Sequence, residues 1–246
     1  MAHLESYFVQ SDQIKNDQAV IGGNEFRHLC KVRRKRVGDV INLTDGEGNF
    51  YTARLLQVKA TQAVVEIIKR QRLVGEPLVA ITLAQGLIRS QRMDWLVEKG
   101  TELGVKQFIP LQSEYCQTST SDLKIVRWQR LAQAAIKQCG RSVEPKIENL
   151  CHFAELPDRL SKPVLFAQPD SKNNVIDLLR DIQQQRQDPI RAVSLIIGPE
   201  GGFSPTELEH FEYWGYSPVN LGLRRLRSET AAITLIVLTL AALAEL

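Results

Sequence analysis

The sequence has 246 residues and a formal net charge of +3, which allows one large domain or two modest ones. Its four cysteines form no CxxC pair and its four histidines lack metalloenzyme spacing, which argues against a zinc ribbon, a disulfide scaffold and a metal site. The longest apolar run, 231–244, is too short to span a bilayer and no signal region precedes it, so we expect a cytoplasmic protein without a membrane segment.

The first 72 residues are predicted to form a small β-domain. Alternating apolar residues predict strands over 40–44, 50–55 and 63–68. Short strands joined by glycine turns such as Asp45–Gly48 indicate a small barrel. Gly75-Glu-Pro77 is a plausible boundary, which gives expected domains over 1–72 and 76–246.

Positive charge is concentrated in this first domain. Residues 1–72 carry 12 Lys and Arg against 8 Asp and Glu, a net charge of +4, whereas 73–246 carry 19 against 20, a net charge of −1. Six of the cations lie between Arg27 and Arg36. A local excess of this kind indicates an anionic partner, although a charge run is often only a solvated face.

After residue 77, apolar strands alternate with segments of helix length. The predicted strands cover 78–84, 107–111, 164–168, 193–197 and 218–221. The predicted helices cover 90–103, 122–139, 173–186 and 205–214. This alternation is typical of a parallel sheet flanked by helices, in which ligands bind at the carboxyl ends of the strands.

A glycine loop, Gly198–Gly202, follows the predicted strand over 193–197. Ser204 is a good N-cap for the next helix, and Glu207 completes a capping box around Pro205. Glycines let backbone amides approach a ligand, and a helix N-terminus favours a carboxylate or phosphate. The spacing matches neither the Rossmann fingerprint nor the P-loop, so the loop is either a ligand site of another geometry or a tight connection.

A second motif, Leu221–Ala231, leads into the last predicted helix. Gly222 breaks the strand, and Ser228 opens the helix. The arginines between them are Arg224, Arg225 and Arg227. Because guanidinium groups grip phosphates, the motif indicates an anionic substrate, with a solvated basic loop as the alternative. The helix over Ala231–Leu246 has almost no polar face, which predicts burial in the centre of the fold or in a dimer interface.

Together, Gly198–Phe203 and Leu221–Ala231 resemble the cofactor-binding motifs of the SPOUT class of knotted methyltransferases. Within that class, the sequence is most similar to the 16S ribosomal RNA uracil-N3 methyltransferase (RsmE-type) family. Three further stretches match in the family's order, namely 28–39, Lys99–Val105 and 138–145. Each stretch is weak alone, but five in order across nearly the whole chain are specific.

The resemblance implies a fold, an activity and partners. The implied α/β fold has an N-terminal PUA-like β-barrel over 1–72 and a C-terminal SPOUT domain with a deep trefoil knot over 76–246, which forms a homodimer. The implied reaction is S-adenosylmethionine (SAM)-dependent methylation of N3 of uridine 1498 in 16S rRNA of the small ribosomal subunit, without a metal. The implied cofactor-binding residues are Phe166, Ala167, Gly198, Glu200, Gly201, Gly202, Leu221, Gly222 and Leu226.

Uracil chemistry and the resemblance together assign candidate catalytic and RNA-binding residues. N3 carries a proton that has to leave, and it lies on the pairing edge, so the base has to be unpaired. Arg224 is the candidate that stabilises the uracil anion, Glu229 either accepts the proton or caps the helix, and Arg141 is a candidate supplied by the partner subunit. The candidate RNA-binding residues are Arg27, His28, Lys31, Arg33, Arg34 and Arg36.

Two other functions are weighed against this one. A non-catalytic RNA-binding ribosome-assembly factor would share the domains, but the intact glycine loop and Leu221–Ala231 motif favour an enzyme. A nicotinamide oxidoreductase is disfavoured because the Rossmann glycines are missing.

Overall fold

The computed structural model describes residues 5–117 and 124–245, which divide into two compact units. The first unit holds the chain up to Glu76 together with Gln133–Glu144. The second holds Pro77–Ala132 and the chain from Pro145 onward. The sequence pattern indicated the change near residue 76, but not the transfer of Gln133–Glu144 to the first unit.

One six-stranded sheet forms the first unit. Its strands are β1 (Ser6–Phe8), β2 (Ile14–Lys15), β3 (Gln18–Gly22), β4 (Val40–Thr44), β5 (Asn49–Val58) and β6 (Gln62–Arg72). The order is β1-β4-β5-β6-β3-β2, in which β1 and β4 pair in parallel and the other pairs are antiparallel. Alternate residues, such as Leu43, Leu55 and Val65, are buried in one core, as expected of strands with one apolar face.

A short helix of the first unit carries the basic segment, residues 27–36, at its end. Helix α1 (Gly23–Arg27) continues into one π-helical turn, His28–Val32. Phe26 and Leu29, three positions apart, are buried in the core and hold the segment by one face, which leaves the cations outward. The pattern did not predict this helix because its two buried apolar residues lie among many charged ones.

Residues 133–144, which belong to the first unit, form ion pairs with distant residues of that unit. Lys137 Nζ lies 2.6 Å from Glu25 Oε1, although the two residues are 112 positions apart. Arg141 is 2% exposed, and its Nη2 lies 2.7 Å from Glu76 Oε2. Pairings of this range have no local sequence signal.

The second unit is a parallel α/β sheet, as the alternation predicts. Its strands are β7 (Ala80–Gly86), β8 (Val105–Gln112), β9 (Lys146–Ile147), β10 (Cys151–His152), β11 (Val164–Ala167), β12 (Ala192–Ile197) and β13 (Ser217–Val219). The helices are α2 (Ser90–Glu102), α3 (Ile125–Cys139), α4 (Leu156–Arg159), α5 (Val175–Gln184), α6 (Pro205–Tyr213) and α7 (Ser228–Ala242), of which α3 belongs to the second unit only up to Ala132. The order is β10-β8-β7-β12-β11-β13 with β9 beside β8, and these pairings are parallel.

Because the strands are parallel, four of them end at the same edge of the sheet. These ends are Gly86 of β7, Ala167 of β11, Ile197 of β12 and Val219 of β13. The connections that follow meet there, which is where the parallel arrangement predicts a ligand site.

Helix α7 is apolar on nearly every side, and it packs against α2, α5, β7 and β12. One side is buried within the unit by Ala232, Leu235, Ile236, Thr239 and Leu240. The side with Ile233, Val237 and Leu238 is half-buried. The helix ends at Ala242, earlier than predicted, and Leu246 lies outside the described residues. In the described chain, every helix is too short or too polar to cross a membrane.

Candidate active site

A cavity of about 460 Å³ lies at the carboxyl edge of the parallel sheet, within the second unit. Its walls come from three segments, namely 167–169, 197–203 and 219–231. These segments begin at the ends of β11, β12 and β13 and include the start of α7. The volume falls in the range of small-molecule sites.

The glycine loop, residues 198–202, forms one wall and is anchored by the capping box. Ser204 Oγ accepts a hydrogen bond from the Glu207 N–H at 3.2 Å, and Glu207 Oε2 accepts one from the Ser204 N–H at 2.9 Å. Pro205 is the first residue of α6, so the predicted helix start is confirmed. Gly202 has φ +76°, a left-handed conformation that favours glycine.

The second wall consists of the arginine loop, residues 222–227, which follows β13, and of the start of α7. Arg224, Arg225 and Arg227 line the cavity and are exposed. Gly222 has φ +107°, which starts the loop in a conformation that other residues rarely adopt. The three guanidinium groups make this wall positive, and Glu200 is the acidic residue among the described lining residues.

A hydrogen-bonded chain fixes the two walls to the sheet. Ser228 Oγ donates to the carbonyl oxygen of Gly198 at 2.6 Å and accepts from Gln85 Nε2 at 2.8 Å. Gln85 is fully buried near the end of β7. The start of α7 and the glycine loop are therefore held to the same central strand.

Arg92 of α2 also contacts both walls. Its Nη1 lies 3.0 Å from Glu200 Oε1, and its Nε lies 3.5 Å from Glu229 Oε1. The sequence reasoning missed Arg92 and Gln85. Both flank the connection from β7 to α2, the fourth strand-to-helix connection at the ligand edge, and that shared position is the signal that could have found them.

The predicted cofactor-binding residues gather around the cavity, although two do not line it. The lining ones are Ala167, Gly198, Glu200, Gly202, Leu221, Gly222 and Leu226. Phe166 is buried in β11, and its ring centroid lies 4.7 Å from that of Phe211. A Cβ atom on Gly201 would lie 2.9 Å from Tyr115 Cβ, so this glycine allows a close approach of the loop to Tyr115.

The three candidate catalytic residues have different surroundings. Arg224 is on the cavity wall. Glu229 is buried and is not a lining residue, and its Oε2 has no hydrogen-bond partner among the described residues. Arg141 belongs to the first unit, where it is buried against Glu76. Its catalytic role stays a prediction.

The basic segment lies on the surface of the first unit. Arg33 Nη2 lies 2.6 Å from Glu5 Oε2, and this contact raises the pKa of Arg33. His28 is half-buried, with its Nε2 3.8 Å from Glu5 Oε1. Within the basic segment, the exposed cations that form no ion pair with a described residue are Arg27, Lys31, Arg34 and Arg36. These four are available to an external anion.

Two family models match different parts of the chain. A family model described as the RNA methyltransferase domain matches residues 75–240, and one described as the RNA methyltransferase PUA domain matches 21–68. Ribosomal RNA small subunit methyltransferase E of Mesomycoplasma hyopneumoniae is 31% identical over 195 residues, which cover 77% of this chain and 81% of that relative. The chain belongs to the ribosomal RNA small subunit methyltransferase E family.

Another relative and two solved structures match along most of the chain. The Buchnera aphidicola protein is 28% identical over 233 residues, 92% of this chain and 88% of that protein. A Legionella pneumophila methyltransferase solved with the bound cofactor SAM has a TM-score of 0.81 at 29% identity, covering 96% of this chain and 97% of that one. The Neisseria gonorrhoeae methyltransferase E bound to S-adenosyl methionine has a TM-score of 0.81 at 27% identity, covering 97% and 98%.

In this member of the methyltransferase E family, the cavity lies in the matched methyltransferase domain and the basic segment in the matched PUA domain. No group of three or more His, Cys, Asp or Glu side chains that could hold a metal ion occurs in residues 5–117 and 124–245.

Proposed function

We propose that this protein transfers the methyl group of SAM to N3 of uridine 1498 in 16S rRNA of the small ribosomal subunit. The cavity at the carboxyl edge of the sheet is the observation that carries the proposal, because the glycine loop and the arginine loop line it together. Membership of the methyltransferase E family supplies the substrate class. Acting on ribosomal RNA, the protein would work in the cytoplasm.

The cavity suits SAM in size and in chemistry. Its volume of about 460 Å³ is adequate for a nucleoside-sized ligand. Ala167, Leu221 and Leu226 offer apolar surface for a flat base, and Glu200 offers a carboxylate for a cationic group. Glycine-loop backbone groups are open to the ligand because Gly198 and Gly202 carry no side chain.

In this reaction the protein mainly has to position the acceptor uracil and to stabilise the uracil anion. Bound SAM supplies an electrophilic methyl group and a neutral leaving group. Arg224 is placed on the cavity wall, where its guanidinium group would stabilise the negative charge that develops on the uracil ring as the N3 proton passes to solvent water. N3 is a pairing atom, so the acceptor has to enter the cavity unpaired.

Glu229 is a weaker candidate for accepting the N3 proton than its position beside the arginine loop in the sequence indicates. Its carboxylate is buried and contacts Arg92, and it is not a lining residue. The main catalytic role is therefore assigned to Arg224.

A homodimer and a trefoil knot complete the proposal. The half-buried side of α7, with Ile233, Val237 and Leu238, supports a dimer contact because it is apolar. After the edge strand β13, the chain returns to the middle of the sheet, where α7 packs against β7 and β12. A return of this kind is what a knot in the C-terminal part of the chain requires.

The direct test incubates the purified protein with methyl-tritiated SAM and small ribosomal subunits from a strain that lacks the methyltransferase. Tritium is expected in 16S rRNA. Specific binding of the subunits without any transfer would instead favour the non-catalytic assembly factor.

The basic segment predicts salt-dependent RNA binding. Because each phosphate contact releases counterions, the slope of log K against log salt is expected to be about −3 for the four exposed cations of the basic segment that have no ion pair with a described residue. Replacing Lys31, Arg34 and Arg36 with glutamine is expected to flatten the slope by about 2. Filter binding at several salt concentrations measures this. Arg70→Gln, which removes an exposed cation paired with Asp17, is the control, and a slope near zero for the native protein would contradict the assignment.

Gly86 predicts a steric effect on the cofactor cavity. A Cβ atom there would lie 2.5 Å from the backbone nitrogen of Pro199, so Gly86→Ala has to displace the glycine loop. We expect SAM binding to weaken by about tenfold or more, measured by calorimetry, since a 1 Å displacement of a site is costly. Gly22→Ala, with no heavy atom within 4 Å of its Cβ, is the matched control. Unchanged affinity in Gly86→Ala would show that the loop does not hold the cofactor.

A further inference from the structure

Arg92 is a cation that joins two carboxylates from two separate motifs. Its Nη1 lies 3.0 Å from Glu200 Oε1, and its Nε lies 3.5 Å from Glu229 Oε1. Glu200 belongs to the glycine loop, and Glu229 belongs to the first turn of α7. One planar guanidinium group can engage both at once, which an ammonium group cannot do with the same geometry.

The position of Arg92 is set by the buried face of α2. Met93, Leu96 and Val97 are 1% exposed or less and anchor the helix in the core of the second unit. Arg92 itself is partly shielded, with 28% of its side chain exposed. A rigid helix therefore presents this side chain to the two loops.

The contact with Glu229 offsets the cost of a buried charge. The Glu229 side chain is 12% exposed, and its Oε2 has no hydrogen-bond partner in the described chain. A buried carboxylate that loses a cationic neighbour is strongly disfavoured. The start of α7 therefore depends more strongly on this contact with Arg92 than it would on an ion pair at the surface.

The ion pairs act on the same two walls as the Ser228 hydrogen bonds. Ser228, adjacent to Glu229, is bonded to Gly198 of the glycine loop and to Gln85 of β7. The two walls are therefore tied together twice, once through the neutral Ser228 link and once through the charged Arg92 link. Two separate links between these walls indicate that the distance between the walls is closely fixed.

We propose that Arg92 is a positioning residue that clamps the glycine loop to the start of α7 and thereby keeps the cavity at the width that its ligand needs. This inference rests on the proposed function for the identity of the ligand, SAM, but the clamp itself is a property of the free protein. Arg92 does not line the cavity, so its effect on the ligand is indirect.

The test compares Arg92→Gln and Arg92→Lys with Arg127→Gln in the full chain. Arg127 of α3 pairs with Asp94 of α2 at 2.8 Å and is 60% exposed, so its replacement removes an equal charge near Arg92 without a contact to the walls. Hydrogen–deuterium exchange of the free proteins is measured over 198–203 and 227–232. Calorimetry with SAM then gives both the dissociation constant and the stoichiometry.

In Arg92→Gln, exchange is expected to rise in both segments, and the dissociation constant for SAM is expected to rise about tenfold at unchanged stoichiometry. Arg92→Lys should recover part of both effects. A purely structural role would lower the stoichiometry through unfolding and leave the dissociation constant unchanged. If Arg92→Gln does not fold, Glu200→Gln replaces it in the test, because this substitution removes only the ion pair between Arg92 and Glu200. Exchange over 198–203 is then still expected to rise.

Unchanged exchange in both segments of folded Arg92→Gln, or equal effects in Arg127→Gln, would overturn the clamp. If the native protein does not bind SAM, the proposed function fails, while the exchange of the free proteins still decides the clamp. If the native protein binds SAM and Arg92→Gln binds it equally well, the function stands and the clamp is wrong.

Discussion

Replacing Arg224 with alanine is expected to slow methyl transfer to small ribosomal subunits by about 100- to 1,000-fold while leaving SAM affinity within a fewfold of the native value. Arg224 is on the cavity wall, in the arginine loop that follows β13. Its charge matters most when the uracil ring becomes negative, so the effect should appear in kcat rather than in binding of the cofactor.

Single-turnover transfer from tritiated SAM and calorimetry with SAM measure the two quantities separately. Arg224→Lys should recover part of the rate because it restores the charge without the planar fork. Arg180→Ala, which removes an exposed arginine from α5, is the control for net charge and should transfer at the native rate. Near-normal transfer together with normal SAM binding in Arg224→Ala would show that another group stabilises the anion.

Replacing Glu76 with glutamine is expected to lower the free energy of unfolding by about 3–5 kcal/mol. The Arg141 side chain is 2% exposed and that of Glu76 11%, and their Nη2 and Oε2 atoms lie 2.7 Å apart. Glu76 Oε1 also accepts hydrogen bonds from the N–H groups of Ser142 and Val143 at 3.1 and 2.9 Å. The Glu76→Gln substitution removes a carboxylate charge that compensates a buried guanidinium group, and it weakens the acceptor of two backbone N–H groups.

Urea denaturation followed by circular dichroism measures the loss, which is a large share of the 5–15 kcal/mol typical of a folded domain. Asp17→Asn is the matched control in the same unit. It removes an exposed pair with Arg70, whose side chain is 56% exposed against 68% for Asp17, and should cost about 1 kcal/mol or less. A loss no larger than that of the control would mean that the Arg141 pair contributes little to folding and would free Arg141 for a role elsewhere.

Elements with a strong local signal could be predicted from the sequence. The capping box of Ser204 and Glu207 appears as predicted because both partners lie within one turn of α6. The predicted strand over 40–44 matches β4 because turn residues bound its alternating pattern. The glycine loop and the arginine loop were found for the same reason, since each combines a strand end, a glycine and a helix start.

Features that depend on distant pairing could not be predicted in this way. Arg92 and Glu229 come into contact only because α2 packs against α7, and no sequence pattern around Arg92 predicts its ion-pair partners. The pairing of Arg141 with Glu76 likewise brings residues 65 positions apart into contact. The catalytic role of Arg141, which the family resemblance implies, stays a prediction, and its contact with Glu76 lies within the first unit.

Mapping of methylated nucleotides by mass spectrometry tests the central claim most directly. The sample is 16S rRNA from a strain that lacks the methyltransferase, with and without expression of this protein. The account predicts one additional methyl group, located on N3 of uridine 1498, when the protein is present. An unchanged methylation pattern, or a methyl group on another nucleotide or another atom, would contradict it.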